Sequence, residues 1–199
     1  MSQKAFLLVD VQNDFCAGGA LAVPRGDEVI PVLNRYLEYF QKQKYPIFAS
    51  RDWHPRRTKH FKEFGGLWPV HCVSKTYGAK FHSQLKLPKS AIILSKGMHP
   101  SKDSYSAFQA QDKNKNPFYK ILKKMKINSL FIGGLATDYC VKSSVLDALK
   151  KDFKVHVLKD AVKGVNLKKS DSQMAIREMK KKGAKFNSFK DLTVDFQSK

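Results

Sequence analysis

The chain has 199 residues, 42% of them hydrophobic, enough for one sizeable domain with its own core. No long apolar run occurs, which argues against a membrane span, and Met1-Ser2-Gln3-Lys4 passes straight into a strand-like run, so no signal peptide is expected. Lys and Arg number 37 against 17 Asp and Glu, a formal charge of +20, while three widely spaced cysteines argue against a disulfide framework and for a reducing cytoplasm.

Ala5-Phe6-Leu7-Leu8-Val9 reads as a first strand, apolar on both faces, with Asp10 at its carboxyl end. Ligand sites in open α/β sheets gather at such ends, although a carboxylate there can equally cap a loop. Phe15 follows Val11-Gln12-Asn13-Asp14 and suits either a pocket wall or the core. Gly26-Asp27-Glu28 opens a helix with Pro31 near its start, and Val29, Ile30, Val32, Leu33, Tyr36, Leu37 and Phe40 give it an apolar face. Tyr45 to Ser50 is a second strand, ending at Arg51-Asp52-Trp53-His54-Pro55. Asp52 and His54, with His60 and His71 further on, form a carboxylate-and-imidazole set that suits a divalent transition metal. Any one of these histidines alone reads as an ordinary loop residue; Asp52, His54 and His71 in one loop region after a strand end make the stronger case. Trp68 beside His71 either stacks on a flat substrate or plugs the loop, and Cys72 is a spare donor in a loop already rich in N and O ligands.

Ala91 to Ser95 is a third strand ending at Lys96, a position better suited to a site than to bulk solvent, although a surface role competes in so lysine-rich a chain. A polar loop, Asp103-Ser104-Tyr105-Ser106-Ala107-Phe108, leads to a short helix from Pro117 to Met125. Ser129-Leu130-Phe131-Ile132 is a fourth strand, Gly133-Gly134 a sharp turn, and Val141, Val145, Leu146 and Leu149 recur at helical spacing. Cys140 then falls at or near a helix start, where the dipole favours a thiolate and free N–H groups can hold an oxyanion. A buried structural cysteine is the competing reading. Lys154 to Leu158 is a fifth strand, Ser170 to Lys182 a helix, Ala184 to Phe186 a sixth strand, and the last ten or so residues a polar tail.

This alternation predicts an α/β fold, a doubly wound, mostly parallel six-stranded sheet with helices on both faces. One domain is expected over residues 1–199, with its core at about 5–188. Asp10, Lys96, the turn before Cys140 and the Asp52/His54 pair would all fall on one edge of the sheet. The charge invites a nucleic-acid reading, but Lys120, Lys123, Lys124 and Lys126 lie on one helix, Lys180, Lys181 and Lys182 on another, and no zinc-finger, RNP-like or basic-zipper pattern occurs. Solvated lysine-rich faces, with only weak non-specific attraction to polyanions, are expected.

Five motifs together resemble the isochorismatase-like cysteine hydrolase family, and within it the nicotinamidases. They are Val9-Asp10-Val11-Gln12-Asn13-Asp14-Phe15, Asp52-Trp53-His54-Pro55, Trp68-Pro69-Val70-His71-Cys72, Ser95-Lys96-Gly97 and Gly134-Leu135-Ala136-Thr137-Asp138-Tyr139-Cys140-Val141, and the likeness runs from about Phe6 to Phe186. The resemblance implies a catalytic triad of Asp10, Lys96 and Cys140 and a metal held by Asp52, His54 and His71. His60 matches a position that is histidine in some relatives only. The family pattern also implies a cis peptide at Leu135-Ala136, an oxyanion site at the Ala136 and Cys140 amides, and a pocket walled by Phe15, Trp68 and Tyr105. One stretch departs: Ser106-Ala107-Phe108-Gln109-Ala110 stands where relatives often have Ser-Gly-Phe-Glu-Gly.

The implied chemistry is hydrolysis of nicotinamide to nicotinate and ammonia, in NAD salvage, by a cytoplasmic enzyme carrying one divalent ion: zinc first, with iron and manganese as alternatives. Asp10 would take the thiol proton, Lys96 would favour the thiolate, and the ion would either activate water or orient the pyridine nitrogen. The oligomeric state is left open, a homo-oligomer included; no specific nucleic acid and no membrane partner are expected. Two other readings stand beside this one: a related, metal-free small-amide hydrolase, and a basic nucleic-acid-binding protein without turnover. The Asp52, His54 and His71 set argues against the first, and the triad argues against the second.

Overall fold

The computed structural model describes residues 3–192; the end of the expected polar tail, 193–199, lies outside them. Six strands, β1 (Gln3–Val9), β2 (Ile47–Asp52), β3 (Ile92–Lys96), β4 (Ile127–Leu135), β5 (Lys154–Lys163) and β6 (Lys185–Asn187), form one sheet in the order β3-β2-β1-β4-β5-β6. Every neighbouring pair is parallel. Parallel neighbours need crossovers. These carry α1 (Val29–Lys42), α2 (Phe118–Lys124), α3 (Lys142–Lys150) and α4 (Asp171–Lys181), while a long irregular connection joins β2 to β3.

Side chains alternate across β1 and so feed two apolar layers. Phe6 and Leu8 pack with Leu33, Tyr36, Leu37 and Phe40 of α1. Ala5, Leu7 and Val9 face the other way, toward Phe118 of α2, Val145 of α3 and Met179 of α4. Helices therefore cover both faces, as the alternation of elements predicts. The chain winds outward from central β1 to β3, then crosses back to β4 on the other side of β1. That reversal opens a crevice at the carboxyl ends of β1 and β4, where doubly wound sheets bind ligands.

Several boundaries differ from the sequence reading. Gly133 and Gly134 do not form the expected turn: β4 runs through both to Leu135, and the chain turns only after it. β1 begins earlier, at Gln3, and β5 runs on to Lys163. β2 starts at Ile47, not Tyr45, because Pro46 has no N–H to give the ladder. It runs on to Asp52, which pairs in register with Lys96 at the last rung of β3. Gly26–Glu28 forms a separate 3-10 turn ahead of α1. Among the described residues, no helix is long and apolar enough to cross a membrane.

Candidate active site

The strand ends deliver the expected residues to one place. Asp10 follows β1 in a left-handed conformation, φ 49°, which turns the chain out of the sheet. Asp52 and Lys96 close β2 and β3 side by side. Gly134 of β4 has φ 123°, and a Cβ there would lie 2.1 Å from the carbonyl oxygen of Val9, so β4 reaches its place beside β1 only with glycine at this position. The Leu135–Ala136 peptide is cis. Cys140 then sits in a π-helical turn, Thr137–Val141, ahead of α3 rather than in the first turn of that helix.

Lys96 is the hub. Its side chain is fully buried, with Nζ 2.9 Å from Oδ2 of Asp10, 3.5 Å from Sγ of Cys140 and 3.2 Å from the carbonyl oxygen of Ser104. It also pairs with Oδ1 of Asp52. Ser50 donates to Oδ1 of Asp10 at 2.7 Å. Burial opposes a charge on Lys96, but Asp10 and Asp52 outweigh it and hold the ammonium protonated well beyond its ordinary range. Burial raises the Asp10 carboxyl despite Lys96. Burial also pushes the Cys140 thiol well up, against the pull of Lys96. Burial thus works against the thiolate that a helix dipole favours, and it raises the carboxyl beside the thiol toward the range in which it can accept a proton.

Next to this cluster, one ring nitrogen from each of His54, His60 and His71 lies within 4.8 Å of the others. Each Nδ1 is engaged away from the centre: His54 on the carbonyl oxygen of Gly97 at 3.0 Å, His71 on that of Pro69 at 2.7 Å, and His60 on Oδ1 of Asp103 at 2.6 Å. Carbonyl and carboxylate oxygens accept only, so the three Nδ1 atoms carry the protons and the three Nε2 lone pairs are free. Nε2 of His54 is buried with no hydrogen-bond partner, and Oδ2 of Asp52 faces it at 3.7 Å. Burial lowers His60 and holds His71 down at about 4, so both stay neutral, the form that binds metals. Three imidazole nitrogens and one carboxylate oxygen, converging with an orphaned buried nitrogen among them, fit a divalent transition ion. Gly97 closes the back of this site, for a Cβ there would lie 2.4 Å from Cε1 of His54.

The mouth is an aromatic cleft holding, with its opening, about 410 Å³ of space outside atoms. Phe15, Trp68 and Tyr105 line it, as the resemblance implies, together with Tyr139, which sequence reading had not singled out. Asp52, His60, His71, Ala136 and Cys140 also line it. Nε1 of Trp68 donates to the Tyr105 hydroxyl at 2.9 Å, so two pocket walls brace each other. The divergent stretch keeps an ordered turn: Ser106 Oγ accepts from Phe108 N, and Gln109 Oε1 accepts from Ser106 N. Gln12 was also missed. Its amide donates to the carbonyl oxygen of Asp52 at 2.8 Å and accepts from the Asp52 N–H at 2.7 Å, pinning the residue both clusters share. Cys72 is buried away from the imidazoles, with Sγ 4.0 Å from the carbonyl oxygen of Gly78.

Comparison with known proteins places the chain in a family. Residues 4–191 match the family described as Isochorismatase domain. The chain is 41% identical to the nicotinamidase of Escherichia coli (strain K12), over 96% of this chain and 97% of that one. It is 34% identical to the nicotinamidase/pyrazinamidase of Mycobacterium tuberculosis, over 82% and 88% of the two chains. Among solved structures, the pyrazinamidase of Pyrococcus horikoshii in complex with zinc superposes with a TM-score of 0.87 at 44% identity, covering 94% of this chain and 99% of that one. PnC1 from L. infantum in complex with nicotinate gives a TM-score of 0.82 at 29% identity, covering 94% and 93%. In sequence and in fold, over nearly its whole length, the chain belongs to the isochorismatase domain family.

Proposed function

We propose that the protein hydrolyses nicotinamide to nicotinate and ammonia through a covalent thioester on Cys140, with Asp10 as acid and base. The observation that carries this reading is the buried cluster of Asp10, Lys96 and Cys140 at the foot of an aromatic cleft, in a chain 41% identical to a nicotinamidase. The flat pyridine ring stacks among Phe15, Trp68 and Tyr105, which presents its amide to the sulfur. Asp10 takes the thiol proton while Lys96, 3.5 Å from the sulfur, balances the forming thiolate. The sulfur attacks the amide carbon, and the Ala136 and Cys140 amides hold the oxyanion. The C–N bond then breaks, and the nitrogen leaves as ammonia with the proton that Asp10 returns. A water attacks the thioester, Asp10 takes its proton, and nicotinate departs as the thiol is restored.

Asp52, His54 and His71, with His60, would hold a divalent ion, zinc by preference, which supplies Lewis-acid polarisation at the floor of the cleft. Imidazole donors disfavour calcium and magnesium. The surface charge has no part in this chemistry. The test is ammonia and nicotinate release from nicotinamide by purified protein, followed by the same assay after treatment with a strong chelator. Stoichiometric release is expected, lost with the metal and restored by zinc. No release from nicotinamide overturns the substrate; full activity in metal-free protein moves the enzyme to the metal-free amide hydrolases.

A further inference from the structure

Among the three imidazoles, His60 is held differently. His54 and His71 each engage a backbone carbonyl, whereas His60 engages a carboxylate that reaches in from the surface. The His60 side chain is 5% exposed and that of Asp103 is 62% exposed, yet Oδ1 and Nδ1 lie 2.6 Å apart. Asp103 belongs to the loop between β3 and the 3-10 turn Ala107–Gln109. The two residues after it anchor that loop inward: the Ser104 carbonyl accepts from Lys96 at 3.2 Å, and the Tyr105 hydroxyl accepts from Trp68 at 2.9 Å. The carboxylate is thus fixed in place by contacts other than its own.

We propose that Asp103 is a positioning residue that makes His60 a fourth protein ligand of the divalent ion, by holding its proton on Nδ1 and its Nε2 lone pair toward His54 and His71. A carboxylate behind a ligating imidazole orients the ring, selects the tautomer and strengthens the nitrogen as a donor. His60 has particular need of it. The ring comes from an irregular loop, and its backbone N–H donates to Thr58 Oγ1 at 3.3 Å, whereas His54 is held by a parallel bridge to Val73. Because Asp103 is exposed, removing its side chain takes away the clamp without opening the core.

This inference rests on the metal reading above, and its test uses metal binding without substrate. Zinc affinity of the demetallated protein is measured by competition with a chromophoric chelator, for wild type, Asp103→Ala, Asp103→Asn, His60→Ala and the double variant His60→Ala/Asp103→Ala. Asp103→Ala weakens zinc binding by about 10- to 100-fold, as loss of such a partner does elsewhere. Asp103→Asn retains most of the affinity, since an amide oxygen still accepts from Nδ1. The double variant binds as His60→Ala alone, and the visible spectrum of the cobalt(II) form of Asp103→Ala shifts as that of His60→Ala does. Two results overturn the proposal alone: Asp103→Ala binding zinc within about twofold of wild type, or costing the same factor when His60 is already absent, which marks a through-space charge effect. A wild-type protein that takes up no zinc overturns the metal reading together with this one.

Discussion

Two clusters of potential ligand atoms lie side by side at the strand ends. Asp10, Asp52 and Cys140 form one; His54, His60 and His71 form the other; in each, the atoms lie within 4.8 Å of one another. By distance alone they are twins. Their charges differ. The first is a ring of acids closed around a cation of the chain's own, the Lys96 ammonium. The second is a ring of imidazoles whose Nδ1 atoms are engaged outward, with no lysine or arginine at its centre. Proximity of titratable groups therefore does not identify a metal site; the site is where the donors lack a resident positive charge. Asp52 serves both, with Oδ1 on Lys96 and Oδ2 toward His54.

Taking the sulfur from the first cluster tests it most severely. Cys140→Ala is expected to lower nicotinamide hydrolysis by well over about a hundredfold, since losing a nucleophile removes the covalent route, while zinc content stays at wild-type level. A variant that keeps more activity than that would mean the thiol is not the attacking group. Lys96→Met attacks the same cluster from its centre. Asp10 and Asp52 would then face each other, buried, with no cation between them, and stability is expected to fall by about 3–5 kcal/mol. Urea unfolding measures it, and a loss under about 1 kcal/mol would show that the acids do not depend on the lysine. Gly97→Ala tests the second cluster more gently. The new Cβ would press on the His54 ring, so zinc affinity is expected to drop by about tenfold while the ammonium cluster and the fold persist. Unchanged affinity would show that His54 can shift without leaving the metal.

Most of the two clusters could be read from the sequence because each member follows a recognisable strand. Asp10, Asp52 and Lys96 sit at the ends of apolar runs, and Cys140 lies in the turn just after another, so local pattern placed them on one edge even though the two glycines read as a turn belong to the strand. His54 and His71 were legible through residue type and loop position. What escaped was the support. Gln12 meets Asp52 across 40 residues, and Asp103 meets His60 across 43. A polar residue in a loop has no periodicity, so nothing in its neighbourhood announces a partner that only the fold supplies. Cys140 shows the opposite failure. Its place near a helix start was legible, but burial, which sets its protonation, depends on β1, β3 and the loop over Lys96 together.

The order of the strands also has a consequence in time. β1, β2 and β3 lie together in the first half of the sequence, but the inner edge of β1 stays unpaired until β4 arrives, with Gln3 meeting Ile127 and Val9 meeting Gly134. During synthesis, Asp10, Asp52 and Lys96 leave the ribosome long before Cys140, and they remain hydrated while that edge is open. The strand that seals the sheet is the one that delivers the sulfur. A nascent or truncated chain therefore carries acid and ammonium without a nucleophile, and a released fragment from the second half carries a thiol with no base beside it. The reactive set comes into existence only in the same event that completes the sheet.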